Sequence, residues 1–192
     1  MADKKIHVVG MDDGFLMTNI VLMNAGAVVS KSAINSRARW GAHANTDLGN
    51  FGSTQKEICS SYETEDGTFT VGNFHDSESV KFDDYPVSGM NRAIINHALR
   101  VAGLGGQKIR MATGLPISMF YKNGQKNTDL IQRKIASGMK SVKALDGSPV
   151  AEIVEHQVFP EGLSAWVDNA LDDKLKLRVD LSMTSAVIDI GG

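Results

Sequence analysis

The segment from Lys5 to Met23 places the strongest constraint on how this chain can fold. Ile6–Val9 is a short run rich in β-branched residues, which predicts a strand buried near the middle of a sheet. A tight acidic join, Gly10–Gly14, follows it, and Thr18–Met23 predicts a second strand. We therefore expect the chain to open with a β-hairpin whose turn carries two carboxylates and a glycine.

The acidic join has two interpretations. Gly14 lacks a Cβ and can adopt a positive φ, so backbone N–H groups could approach an anion closely there. Asp12 stands at the predicted strand end, where its carboxylate can face that anion through a bound cation. A plain hairpin with an acidic turn explains the same residues, and the segment alone leaves both interpretations open.

Composition excludes several classes of protein. The chain has 192 residues, 42% of them hydrophobic, which is enough for one large domain or two small lobes. A formal net charge of -2 gives no broad basic surface, so we expect no direct binding to nucleic acid. Cys59 is the single cysteine, which indicates a reducing compartment. Without a secretory signal or an apolar run of about 20 residues, a cytoplasmic protein with no membrane contact is expected.

The rest of the chain alternates between strand and helix patterns. That mixture predicts an α/β domain with a mixed sheet. We expect helices with an N-cap at Ser88 and at Thr128, and an amphipathic helix after Gly162. The remaining elements are expected to be a strand over 26–30, a hairpin over 60–72, helices over 88–101 and 128–143, and strands over 108–113, 150–158 and 186–190.

Three acidic positions are candidates for a site. Asp12 and Asp189 each precede a glycine at the end of a predicted strand, and Glu161 lies between a predicted strand and a helix. Strand-end carboxylates around one cleft suit a Mg²⁺ that is mostly water-coordinated and bridges nucleotide phosphates, and a third carboxylate can orient a water. A first-turn acid that stabilises the helix dipole also explains Glu161.

These residues together resemble the N-terminal half of the ParM/StbA family, the actin-like ATPases that segregate bacterial plasmids. The segment Asp12–Ile20 resembles that family's first phosphate loop, and Gly114–Lys134 resembles a segment typical of ParM. Phe159–Glu161 is similar to the region that holds the water-orienting glutamate, and Val187–Gly192 is similar to the start of the second phosphate loop.

The resemblance implies a fold and a domain organisation. The fold would be an actin-like ATPase domain, a ribonuclease H-like mixed sheet with flanking helices, truncated to about one lobe. Because a buried strand with nothing to cover it rarely ends a domain, the apolar C-terminal strand also suggests truncation. The implied division is a core subdomain over 1–31 and 87–185, a smaller inserted subdomain over 32–86, and the first strand and phosphate loop of a missing second domain over 186–192.

The resemblance also implies an activity, namely nucleotide-dependent filaments that hydrolyse ATP, or GTP, with Mg²⁺. Glu161 would be the catalytic residue, and Asp12 and Asp189 would hold Mg²⁺ mainly through water. The implied partners are copies of the chain itself and an adaptor protein bound to centromere-like plasmid DNA, in the bacterial cytoplasm. We expect weak or no nucleotide binding by this chain alone. The implied nucleotide-binding residues are Asp12, Gly14, Thr18, Asn19, Asp189, Gly191 and Gly192.

Two other functions remain open at this stage. One is a small-molecule kinase of the same superfamily, which would carry a sugar or acid pocket between its lobes. The other is a non-catalytic filament scaffold. Two departures from the family's first loop favour the scaffold, because Phe15–Met17 carries an apparent two-residue insertion and Val21 stands where a lysine is frequent.

Overall fold

The computed structural model describes residues 5–43, 59–74, 76–172, 174 and 176–187. Strands and helices mix along these residues, as the sequence predicted. The strands are β1 (Ile6–Asp13), β2 (Met17–Asn24), β3 (Ala27–Asn35), β4 (Ala38–Trp40), β5 (Ser60–Thr64), β6 (Gly67–Val71), β7 (Lys108–Leu115), β8 (Tyr121–Lys122), β9 (Gln125–Lys126), β10 (Lys143–Ala144) and β11 (Glu152–Pro160). The helices are α1 (Gly89–Val101), α2 (Ile117–Phe120), α3 (Thr128–Gly138) and α4 (Leu163–Ala170), and a short 3-10 helix spans Tyr85–Val87.

A mixed sheet of five described strands, in the order β11-β7-β1-β2-β3, forms the larger layer. β1, β7 and β11 run parallel, whereas β2 pairs antiparallel with both β1 and β3. β1 therefore lies in the middle of the sheet, which confirms the prediction for the first strand. Because β1, β7 and β11 are parallel, their carboxyl ends meet at one edge of the sheet.

A second sheet has the described order β10-β5-β6-β4. β3 runs through Asn35 within the larger sheet, and β10 brings Lys143–Ala144 from a distant part of the chain into the second sheet. The division of the chain into a core subdomain and an insertion over residues 32–86 stays a prediction. None of the described helices is both long and apolar enough to cross a bilayer.

Helix α1 lies between the two sheets and is buried on all sides. Met90, Ala93 and Ile94 pack into the core of the second sheet, while Ile95 and Leu99 pack against the larger sheet. A helix covered by two layers must bury its polar residues as well, and these then need hydrogen-bond partners.

Polar side chains on α1 find such partners. Ser88 is the N-cap, as predicted, and its side chain accepts a hydrogen bond from the Asn91 backbone N–H. His97 is a buried histidine whose Nδ1 hydrogen-bonds to the Tyr62 hydroxyl at 3.1 Å. The fully buried Arg92 donates to Asp66 at 2.8 Å.

Several boundaries differ from the predictions: β3 ends at Asn35 rather than at residue 30, β7 at Leu115 rather than at residue 113, and β11 at Pro160 rather than at residue 158. β1 continues through Asp13, so the two carboxylates lie within the strand and the turn comes after them. Helix α3 is capped by Asn127 rather than Thr128. It ends at Gly138 rather than near Lys143. Gly138 packs so closely on His156 that a Cβ there would lie 2.4 Å from Nδ1.

Replacing Arg92 by Met tests whether this buried cation holds the layers together. The Arg92 guanidinium also donates to Ser137 of α3 at 2.6 Å, so the change removes bonds to two elements and leaves Asp66 unpaired. We expect Arg92→Met to lower the free energy of unfolding by about 2 kcal/mol, because its buried hydrogen bonds are lost while the half-exposed Asp66 carboxylate can be hydrated. Urea denaturation measures this.

Arg133→Met is the matched control, because it removes a second arginine–aspartate pair whose two side chains are exposed. We expect it to change the free energy of unfolding by less than about 1 kcal/mol. Equal losses in the two variants would contradict a special role for the buried arginine.

Candidate functional site

A cleft of about 380 Å³ opens at the carboxyl ends of the three parallel strands. In open α/β sheets this is the edge at which ligands bind. The cleft is lined by Gly10, Met11 and Asp12 of β1, by Ala112, Thr113 and Gly114 of β7, and by Phe159, Glu161 and Gly162 at the end of β11. Two of the sequence-predicted residues, Asp12 and Glu161, are thus brought to one cleft.

The carboxylate of Asp12 is exposed at this edge and held by its neighbour across the hairpin. Asn19 is its register partner on β2, and the Asn19 side-chain amide donates to Asp12 Oδ2 at 3.3 Å. Asn19 therefore orients the Asp12 carboxylate, which the sequence predicts to face a bound cation.

Gly14 follows in the β1–β2 turn. Its φ lies outside the left-handed region, so the turn does not use the positive φ that glycine allows. A Cβ there would lie 3.1 Å from the Met17 carbonyl oxygen. The absence of a side chain therefore keeps the turn compact and does not serve a positive φ.

Glu161 reaches the cleft because the residue beneath it has no side chain. A Cβ on Gly114 would lie 2.6 Å from Glu161 Cγ and 2.8 Å from Oε1. The Glu161 backbone N–H donates to the Leu115 carbonyl at 2.8 Å, which fixes the chain just after β11. Gly162, with φ of 78°, then turns the chain into α4. The side chain of Glu161 is therefore packed over the end of β7.

The other sequence-predicted site residues lie elsewhere. Thr18 is fully buried, and its hydroxyl lies 2.9 Å from that of Ser36, so it faces the core rather than the cleft. Asp189, Gly191 and Gly192 lie outside the described residues. Their assignments to nucleotide binding, and that of Thr18, stay predictions.

A buried ion pair that the sequence did not predict lies beneath the cleft. Lys134 Nζ lies 2.8 Å from Asp13 Oδ2 and donates to the Gly114 carbonyl at 2.6 Å. Asn91 of α1 donates to the same Asp13 oxygen at 2.9 Å. The sequence did hold one signal. Lys134 lies three residues after Ile131, on the side of α3 that packs against the core, and a charge buried there requires a partner.

This pair joins β1, β7 and α3 directly below the residues that line the cleft. Both side chains are about 97% buried, so each charge depends on the other for compensation. All three hydrogens of the Lys134 ammonium have acceptors, namely the two Asp13 oxygens and the Gly114 carbonyl. The position of Gly114, and with it the support for Glu161, therefore depends on Lys134.

A buried histidine fixes a second residue of the cleft. His156 Nδ1 lies 3.3 Å from the Ile135 carbonyl and must donate to it, so Nε2 accepts from the Thr113 hydroxyl at 2.9 Å. Burial is the main cause that lowers the pKa of His156 to about 4, with a smaller contribution from the Lys134 charge, and it outweighs the hydrogen bond to Ile135, which raises the pKa. The imidazole is therefore neutral at pH 7 and orients Thr113 toward its acceptor.

Removing the buried ammonium should be severely destabilising. We expect Lys134→Met to lower the free energy of unfolding by about 3–5 kcal/mol, because it leaves the Asp13 carboxylate buried without a cation. Urea denaturation at pH 7 measures this. The double variant Asp13→Asn with Lys134→Met should recover part of the loss.

Lys143→Met is the control for this pair, since it breaks an exposed contact with Glu63 and should change the free energy of unfolding by less than about 1 kcal/mol. A Lys134→Met variant as stable as this control would show that Asp13 does not need the ammonium.

The depressed pKa of His156 predicts a loss of stability in acid. Between about pH 6.5 and about pH 4 the unfolded chain binds a proton on this residue and the folded chain does not. Over that window we expect the free energy of unfolding to fall by up to about 3 kcal/mol from this group. Urea titrations from pH 7 to pH 4.5 measure the slope.

The His156→Gln variant retains a donor and an acceptor at this position but has no group that titrates there. Its stability should fall less steeply with acidification than that of the wild type. Identical slopes would assign the pH dependence to other groups.

Comparisons with known proteins identify the family of this fold. A family model described as "Plasmid segregation protein ParM, N-terminal" matches residues 7–172. A search of curated proteins found no match to this chain. Solved structures with the same fold include the apo psk41 ParM protein, with a TM-score of 0.62 and 14% identity over 90% of this chain and 54% of that one.

Two further structures agree. The actin-like protein Alp7A gives a TM-score of 0.62 at 11% identity, covering 91% of this chain and 50% of that one. The AlfA filament bound to AMPPNP gives a TM-score of 0.54 at 12% identity, covering 87% of this chain and 59% of that one. The chain thus spans about half the length of the solved structures it matches. Its fold is actin-like, and the chain belongs to the family of the plasmid segregation protein ParM, within the N-terminal part of that protein.

Proposed function

We propose that this chain provides one wall of the nucleotide cleft in an actin-like ATPase whose filaments segregate plasmid DNA. One observation carries the proposal: Asp12 and Glu161 line the same cleft, at the carboxyl ends of parallel strands, in a member of this family. The AlfA filament bound to AMPPNP, which shares the fold, supports a filament that binds a nucleotide.

The donors around Asp12 fit a cation that keeps most of its water. Within the described ranges no group of three His, Cys, Asp or Glu side chains is placed to hold a metal ion. A single carboxylate together with substrate phosphates is the arrangement that suits Mg²⁺. Asp12 would hold such an ion through water, with Asp189 as its proposed second carboxylate, and the ion would neutralise charge on the phosphates of ATP or GTP.

Glu161 is the proposed catalytic residue. Its carboxylate stands at the cleft where it can orient a water and accept its proton as that water attacks the terminal phosphate. Packing over Gly114 restricts where the side chain can lie, and such positioning supplies much of the rate in phosphoryl transfer. Gly14, Thr18 and Asn19 complete the proposed first phosphate loop, with Asn19 acting on Asp12.

The proposed partners follow from the family. Copies of the protein would assemble into filaments, and an adaptor protein would connect them to centromere-like plasmid DNA in the bacterial cytoplasm. The formal net charge of -2 supports contact with DNA through the adaptor rather than directly.

The test follows light scattering and phosphate release together after adding ATP and Mg²⁺. Because the chain spans about half the length of its structural relatives, the complete gene product and the 192-residue chain are measured side by side. We expect scattering to rise and then fall as phosphate appears for the gene product, with negligible turnover by the chain alone. Formation of ADP that requires an added small-molecule acceptor, with the phosphoryl group transferred to that acceptor instead of released as phosphate, would indicate a kinase. Filaments without turnover would indicate a scaffold.

The variant Glu161→Gln tests the proposed catalytic residue. In the complete gene product we expect phosphate release to fall by about 100-fold or more, because the amide cannot accept the proton. Filaments should persist after assembly, since their collapse depends on hydrolysis. Glu155→Gln is the matched control, because Glu155 lies on the same strand and pairs with Arg110. Full turnover in Glu161→Gln would refute the assignment.

Adding a methyl group at Gly114 tests the positioning of Glu161. We expect Gly114→Ala to lower kcat by about 10- to 100-fold, because the new Cβ takes the space of Glu161 Cγ. Gly10→Ala adds the same methyl group to the same cleft, with no atom within 4 Å, and should have a smaller effect. In a Glu161→Gln background, Gly114→Ala should lower kcat little further. A further fall in kcat as large as in the wild-type background would contradict the positioning of Glu161 by Gly114.

A further inference from the structure

A second, smaller cavity lies behind the cleft and shares one residue with it. It measures about 60 Å³ and is lined by Asp13, Tyr85, Lys134 and Glu161, together with the backbone of Gly14 and apolar side chains. Glu161 lines both this cavity and the larger cleft. A polar residue in contact with two compartments can bind a ligand or a water from either side.

Tyr85 places a hydroxyl donor in this region. The residue is 1% exposed, and Oη makes no hydrogen bond of ordinary geometry with the described residues, although the Asn91 and Ser36 side chains lie near enough to donate toward the oxygen and leave its proton without an acceptor. Burial, and after it the Asp13 charge, raises the pKa of Tyr85, so the hydroxyl keeps its proton. A buried donor without an acceptor costs stability, and ordered water is the usual partner for such a group.

The groups around the cavity are arranged to hold such a water. Lys134 uses all three of its hydrogens on Asp13 and Gly114, so it has none left to donate into the cavity. The carboxylates of Asp13 and Glu161 can accept, and Tyr85 can donate. A space of about 60 Å³ has room for about two waters, each of which needs two or more polar partners.

We propose that this cavity is a water-binding site through which Tyr85 positions Glu161. The Tyr85 hydroxyl donates to a buried water, and that water donates to the Glu161 carboxylate and to Asp13. Tyr85 is then a positioning residue for the hydrolysis. The part of this inference that concerns catalysis rests on the proposed function, whereas the water site itself does not.

The first experiment tests whether the water is present, using the 192-residue chain without nucleotide. A high-resolution crystal structure should show an ordered water within hydrogen-bond distance of Tyr85 Oη. Tyr85→Phe should lower the urea midpoint, because the water loses a donor, and Tyr121→Phe, an exposed control, should leave it unchanged. A dry cavity, or a Tyr85→Phe midpoint equal to or above that of the wild type, would overturn the inference, because an unpaired hydroxyl costs nothing to remove.

The second experiment decides the catalytic role on the complete gene product. Tyr85→Phe should lower kcat for ATP by about tenfold without changing KM, because the change acts on the orientation of Glu161 and not on nucleotide binding. In a Glu161→Gln background the same substitution should cause no further loss. An unchanged kcat, or equal losses in both backgrounds, would overturn the positioning role. A wild-type gene product without ATP hydrolysis would overturn the proposed function, while the first experiment would still decide the water site.

Discussion

The rest of the site depends on one buried interaction, the Lys134 ammonium shared between Asp13 and the Gly114 carbonyl. A buried charge is costly unless it is paired and its hydrogens are satisfied, and this one meets both conditions. By doing so it holds the end of β1, the end of β7 and helix α3 in one arrangement. The cleft and the support beneath Glu161 are therefore built on an ion pair that is not itself exposed to ligand.

The two sheets depend on α1 in a comparable way. Because the helix is covered on both sides, its apolar residues serve two cores and its polar residues must be paired inside the protein. Asn91 donates a hydrogen bond to Asp13 beneath the cleft, and Arg92 donates one to Asp66 of the β5–β6 turn. The second sheet is thus connected to the site through the polar residues of one helix, and the supports of the candidate site lie in the core.

Local rules predicted much of the fold. The opening hairpin, the Ser88 N-cap and the place of Glu161 between a strand and a helix all follow from short-range sequence patterns. The errors came where a distant contact overrides the local signal. The sequence did not predict that Lys134 of α3 pairs with Asp13 of β1, or that Gly138 packs directly on His156. Such contacts cannot be read from a window of neighbouring residues.

By itself the sequence determined which groups are available: adjacent carboxylates at the end of a first strand, a glycine after them, and a glutamate between a later strand and helix. The tertiary structure decided what each group does. Neighbouring residues of a strand point to opposite faces, so Asp12 is exposed at the cleft while Asp13 is buried. The partner of Asp13 is Lys134, 121 residues away in sequence, and only the packing of α3 on the sheet brings the two charges together.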